Sequence, residues 1–157
     1  MNLLDVFPKP MLLLDLKARD KKGAIRELLS HLVKEGKLSE EASKKAEKGI
    51  QKRESQGSTG VGKGLAIPHA KSCAQVEGVL GVFGRSAEGI AFDAVDGEFV
   101  NVIFLIVSAE DQADSHLAVM RKVATLARDE KSLRFLASTG NPDGMLEIFK
   151  EIDDGQL

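Results

Sequence analysis

Three histidines, one cysteine and one glycine-rich loop hold most of the reactive chemistry in this 157-residue chain. His69 ends the stretch LAIPHA (65–70), which follows GSTGVGKG (57–64). Coming after a proline and a glycine loop, its backbone is stiffly held and its side chain is expected near the surface. Taken alone, Ile-Pro-His also fits an ordinary loop histidine. His116 stands near the start of a helical pattern, on the same face as Met120, Val123 and Ala127. An inward histidine is usually a satisfied core residue, but this one also lies in a first turn, at the positive end of the helix dipole. His31 falls about 110° from the centre of its helix's apolar stripe, at 100° per residue, and is read as solvated.

Several chemistries are disfavoured at once. Two histidines without a cysteine or carboxylate at close ligand spacing make a poor metal site, and neither metal nor cofactor is expected. A Ser-His-Asp hydrolase lacks its Gly-x-Ser-x-Gly elbow. GSTGVGKG nearly spells the nucleotide phosphate loop, with Gly57, Gly62 and Lys63 in place, yet Gly64 offers no hydroxyl for magnesium. That loop should also link a buried strand to a helix. Here a charged helical stretch precedes it and Leu65-Ala66-Ile67-Pro68 follows. It reads as a glycine-rich surface turn, or as a nest of backbone N–H groups that binds an anion without a nucleotide. Ser58 and Thr59 would add hydroxyl donors to such a nest. The remaining chemistry is a histidine that carries a phosphoryl group. Such a site needs a nucleophilic imidazole, a group that stabilises charge, and donors for three oxygens. Arg53, Ser58, Thr59, His69 and His116 could supply them.

These residues depend on their supporting elements. MLLLDL (11–16) reads as a short strand after Pro8-Lys9-Pro10. Lys21–Lys34 reads as a helix, with Ile25, Leu28, Leu29 and Leu32 at i, i+3, i+4, i+7. Gly36 stops it. Ser39 caps a second, more polar helix that runs to about Gln56, with Glu40 and Glu41 in its first turn. Pro68 keeps Ile67 extended. Gly78–Arg85 reads as a strand. Glu98–Val107 ends in six apolar residues, the mark of a strand buried on both faces and of helices on both sides of its sheet. Helical patterns then cover Asp114–Arg128, Glu130–Ala137 and a segment started by Asn141-Pro142-Asp143. Strands interleaved with helices indicate an α/β domain, and no linker or repeat divides residues 1–157.

Composition sets the outer bounds. The 22 basic and 24 acidic residues leave a net charge of −2, and there is no Trp or Tyr. Nucleic acid therefore meets neither a basic footprint nor a stacking platform beyond Phe. A lone cysteine excludes an internal disulfide and fits a reducing compartment. The longest apolar run, Val102–Val107, is far short of the roughly 20 residues a membrane helix needs. Met1–Pro10 lacks the basic start and apolar core of a signal peptide. A cytoplasmic protein without membrane insertion is expected.

Taken together, Arg53, Gly57-Ser58-Thr59-Gly60, Gly62, Gly64 and Ala66-Ile67-Pro68-His69 resemble the signature of enzyme IIA proteins of the bacterial sugar phosphotransferase system. The class is the fructose/mannitol one, which includes the nitrogen-regulatory enzyme IIA. Ile90–Asp96, Val102–Ala109 and Ser115-His116-Leu117 extend the resemblance over about Leu3–Ile152. It implies a mixed sheet of about five strands sandwiched between helices, in one enzyme IIA domain. It implies phosphorylation of His69 on Nε2 by a histidine phosphocarrier protein. It further implies that His116 and Arg53 contact the phosphoryl group, with Ser58, Thr59 and Gly60 as the phosphoryl-binding loop. Transport members pass the group to a cysteine of an enzyme IIB. Cys73 lies in a different context from such a cysteine. Gly57–Gly60 as Gly-Ser-Thr-Gly looks more like the nitrogen-regulatory branch, in which binding to target proteins changes with phosphorylation.

Overall fold

The computed structural model describes every residue from Met1 to Leu157. Its helices are α1 (Leu3–Val6), α2 (Lys21–Lys34), α3 (Glu40–Ser55), α4 (Ala113–Ala124), α5 (Glu130–Ser138) and α6 (Pro142–Asp153). Its strands are β1 (Leu12–Leu13), β2 (Gly60–Gly62), β3 (Leu65–Ala66), β4 (His69–Ala70), β5 (Val79–Ile90) and β6 (Val100–Ser108). Side-chain caps begin the helices where the sequence places them. Ser39 Oγ accepts from Ala42 N–H at 3.0 Å, and Asn141 Oδ1 accepts from Asp143 and Gly144 N–H.

The sheet order is β1-β5-β6-β3-β2, with β4 also paired to β6. β3 and β4 run parallel to β6 one after the other, Leu65 beside Val102 and His69 beside Ile106. Six strands thus fill five positions, and the mixed pairing is the expected one. β6 shows why both faces need helices. Val102, Phe104 and Ile106 pack with α1, α4, α5 and α6, while Ile103, Leu105 and Val107 pack with α2 and α3. All six are essentially without solvent exposure. On the first face Phe7, Phe83, Phe104 and Phe149 form a cluster of edge and tilted ring contacts, 5.1–6.1 Å between centroids.

Some local expectations shift. Of MLLLDL, only Leu12 and Leu13 join the sheet, because Pro10 turns Lys9–Met11 into a 3₁₀ segment. The pattern over Asp114–Arg128 divides into α4 and a 3₁₀ turn, Thr125–Arg128. There Thr125 Oγ1 donates to Lys122 O at 2.6 Å and tightens the last turn. The glycine-rich loop is not an unpaired surface turn. Gly60–Gly62 pairs with Leu65–Ala66 through a tight turn at Lys63-Gly64, both with positive φ (57° and 79°). Gly60 is required by contact rather than by φ: a Cβ there would stand 2.9 Å from the Cα of Ala94. His31 is not solvated either. Its Nε2 lies 2.7 Å from Pro10 O, and its side chain is 16% exposed.

Candidate functional site

The carboxyl ends of β4 and β6 lie side by side, the usual place for a site in an α/β sheet. Pro68 has no N–H to give to a sheet ladder, and the parallel pairing to β6 is interrupted between β3 and β4. The carbonyl of Pro68 still accepts from Ile106 N–H at 3.0 Å. The neighbouring carbonyl of Ile67 turns to the imidazole two residues on, 2.7 Å from His69 Nδ1. A carbonyl can only accept, so Nδ1 holds the proton and Nε2 keeps its lone pair. The carbonyl that fixes His69 could not be read from the sequence.

His116 approaches from the opposite wall, as the fourth residue of α4. The ring centroids of His69 and His116 are 5.6 Å apart and tilted by 54°. His116 is buried, with Nδ1 2.7 Å from the hydroxyl of Ser108, the last residue of β6. Neither Nε2 has a hydrogen-bond partner in the protein, and neither is sealed from solvent. Both histidines line one cavity of about 640 Å³, rimmed by Lys52, Arg53 and Lys71.

Burial pushes the His116 imidazole down to about 4, with help from the charges of His69 and Lys71. Burial also lowers His69, and Arg53 and Lys71 add to that, while the Ile67 carbonyl and Glu54 oppose it. Both rings are therefore neutral at neutral pH, as a nucleophile and an uncharged N–H donor would need to be. Cys73 is half-buried and its thiol is raised by burial, so it is not a poised nucleophile.

Arg53 leaves the last turn of α3, and its Nη1 donates to Gly57 O at 2.8 Å. It lines the cavity shared by the histidines and also a second one of about 330 Å³, lined by Ser58, Thr59, His69 and Met120 among others. Arg53 and His69 line both cavities, His116 only the first, and Ser58 and Thr59 only the second. The hydroxyls are oriented otherwise than a phosphate cradle would suggest. Ser58 Oγ donates to Phe92 O at 2.8 Å and accepts from Gly60 N–H at 3.0 Å. Thr59 is buried, and its hydroxyl and its N–H both bond the Glu54 carboxylate. Glu54 is held in turn by Lys21 Nζ at 3.1 Å. Ser58, Thr59 and Gly60 therefore brace the loop that carries Arg53's partner Gly57, and both hydroxyls and the Thr59 and Gly60 N–H groups are already engaged. Sequence reasoning did not find Glu54 or Lys21, since charged residues in a helix give no sign of pointing inward, nor Lys71, an exposed loop residue at the cavity rim. No three His, Cys, Asp or Glu side chains converge where a metal ion could be held.

Comparison with known proteins matches the geometry. Residues 5–152 fit the family described as "Phosphoenolpyruvate-dependent sugar phosphotransferase system, EIIA 2". The fructose-specific EIIABC component of Bacillus subtilis is 31% identical over 98% of this chain, which spans 24% of that longer protein. The crystal structure of nitrogen regulatory protein IIA-Ntr from Neisseria meningitidis superposes with a TM-score of 0.82 at 30% identity, covering 92% of this chain and 97% of that one. The enzyme IIA of the mannitol system of Escherichia coli, determined in complex with phosphorylated enzyme IIB, gives a TM-score of 0.74 at 26% identity and covers 90% and 94%. No helix is long and apolar enough to cross a membrane. With a fold, a histidine pair and a family match over nearly its whole length, the chain belongs to the EIIA 2 family of the phosphoenolpyruvate-dependent sugar phosphotransferase system.

Proposed function

We propose that this chain is a phosphohistidine carrier, with His69 as the acceptor. The observation that carries the reading is the Ile67 carbonyl on Nδ1, which leaves Nε2 unprotonated on a ring that lines an open, cationic cavity. The donor is a histidine phosphocarrier protein. The Nε2 lone pair of His69 forms the new N–P bond in line with the bond to the donor ring, which breaks and returns its electron pair to the donor nitrogen. The phosphorylated His69 ring keeps its Nδ1 proton against the Ile67 carbonyl. His116 and Arg53 meet the phosphoryl oxygens, adding position and charge stabilisation rather than a covalent step. The downstream acceptor is a cysteine of an enzyme IIB, the class of partner seen with the mannitol relative.

The test is to incubate the chain with phosphoenolpyruvate, enzyme I and the phosphocarrier protein, then map the label. An acid-labile, base-stable phosphate on His69 is expected. A label that survives in His69→Ala, or no label at all, overturns the reading.

A regulatory use of the same phosphorylation is favoured by the likeness to IIA-Ntr, which spans nearly all of that protein. Phosphorylation adds about −1.5 to −2 charges at one point of the surface, enough to change a partner interface. A regulatory protein transfers slowly to an enzyme IIB cysteine and captures targets differently with bare and phosphorylated His69. A transport component transfers rapidly.

A further inference from the structure

The carrier reading uses His116 as a donor, but a neutral imidazole has one donor and one acceptor nitrogen, and something must decide which is which. At His69 a carbonyl decides. At His116 the partner is the Ser108 hydroxyl, which can either give or take a hydrogen bond. Ser108 has no solvent exposure, and its hydroxyl has no hydrogen-bond partner other than His116. If Nδ1 of His116 held the proton and Ser108 accepted it, the serine O–H would be a buried donor with nothing to bond. If Ser108 donates to Nδ1, only a second oxygen lone pair is left unused. The first arrangement is the costly one, because unmade buried donors are penalised more than under-used acceptors.

We infer that Ser108 is a positioning residue that holds His116 in the Nε2–H tautomer, opposite to that of His69. The two rings then face one cleft with complementary atoms, a bare nitrogen on His69 and an N–H on His116. Neither Nε2 is used by another protein group. A phosphoryl group arriving on His69 would find a preset donor that needs no proton from solvent. The consequence for transfer rests on His69 being the acceptor; the tautomer does not.

The test joins a ring measurement to a rate. In the ¹⁵N-labelled protein near pH 7.5, long-range ¹H–¹⁵N spectra report which ring nitrogen carries the proton. We expect Nε2–H for His116 and Nδ1–H for His69. In Ser108→Ala, His116 should lose that preference and phosphorylation of His69 should slow roughly tenfold, the scale of one neutral hydrogen bond. Ser108→Thr, which keeps the hydroxyl on a strand that accepts β-branched residues, should restore both. An Nδ1–H tautomer of His116 in the wild-type protein, or a wild-type rate in a folded Ser108→Ala variant, overturns the inference. Failure of the wild-type chain to be phosphorylated sinks the carrier reading, while the spectra still decide the tautomer.

Discussion

His69 and His116 face the same cleft but are held in different ways. His69 sits on a two-residue strand behind a proline, and a main-chain carbonyl fixes its ring. His116 sits on a twelve-residue helix, and a side-chain hydroxyl from the neighbouring strand fixes its ring. A carbonyl cannot be removed by a point substitution and can only accept. A hydroxyl can be lost in one mutation and can bond either way. His69, the proposed acceptor, thus has the partner that sequence change cannot remove, and His116, its proposed helper, has the adjustable one.

The largest effect that could break this comparison is at the acceptor. His69→Ala should abolish phosphorylation while the chain still folds, read by intact-protein mass spectrometry and circular dichroism. A residual label moved to His116 would mean that the two rings are interchangeable. Next come the groups proposed to meet the phosphoryl oxygens. His116→Ala and Arg53→Gln should each slow transfer by about 10²–10³, the usual cost of one preorganised donor. Arg53→Gln should cost little stability, whereas His116→Ala also leaves the buried Ser108 hydroxyl unpaired and should destabilise the fold. Arg53→Lys should rescue poorly, since an ammonium cannot bond Gly57 O and also present a second N–H fork to the cleft.

A smaller effect separates bracing from binding in the loop. Gly60→Ala should destabilise the fold by about 1–3 kcal/mol, measured by denaturant titration, because its Cβ would press on the backbone of Ala94. Loss of transfer without loss of stability would return Gly60 to a direct role at the phosphate.

The smallest effect is in pH. Both imidazoles are lowered by burial, His116 to about 4, from an ordinary value near 6.5. Acceptance from pre-phosphorylated donor should therefore persist as pH falls through 6.5. Stability goes the other way. Below pH 6.5 the unfolded chain binds protons on these rings that the folded chain refuses, at His116 down to about 4. Their contribution is full above 6.5 and is lost as pH falls below it, for His116 toward about 4. The thermal midpoint should drop by a few degrees from pH 7.5 to 5, and His116→Asn should flatten that slope. An unchanged slope in the variant would show that His116 is charged in the fold.

Much of this was legible in the sequence. The unbroken apolar run Val102–Val107 and the caps at Ser39 and Asn141 are local signals, and they specify local structure. The arginine, both histidines and the glycine loop stand in an order that carries their grouping. Partners set by the path of the chain were not legible. Ser108 and His116 are eight residues apart, and whether they touch depends on how β6 hands over to α4. Thr59 reads as a phosphate donor until Glu54 is found folded under it. His31 looks solvated on a helical wheel because the wheel omits Pro10, which belongs to another segment.

The break between β3 and β4 has one more consequence. In the proposed carrier role, each cycle would place a dianion on His69, whose neighbour in the sheet, Ile106, lies in the core. A two-residue stub joined to β3 through Ile67 and Pro68 works like an insulated terminal on a machine frame. The load is applied at the terminal, and the frame, with β6 locked between two helical layers, does not have to flex with each turnover.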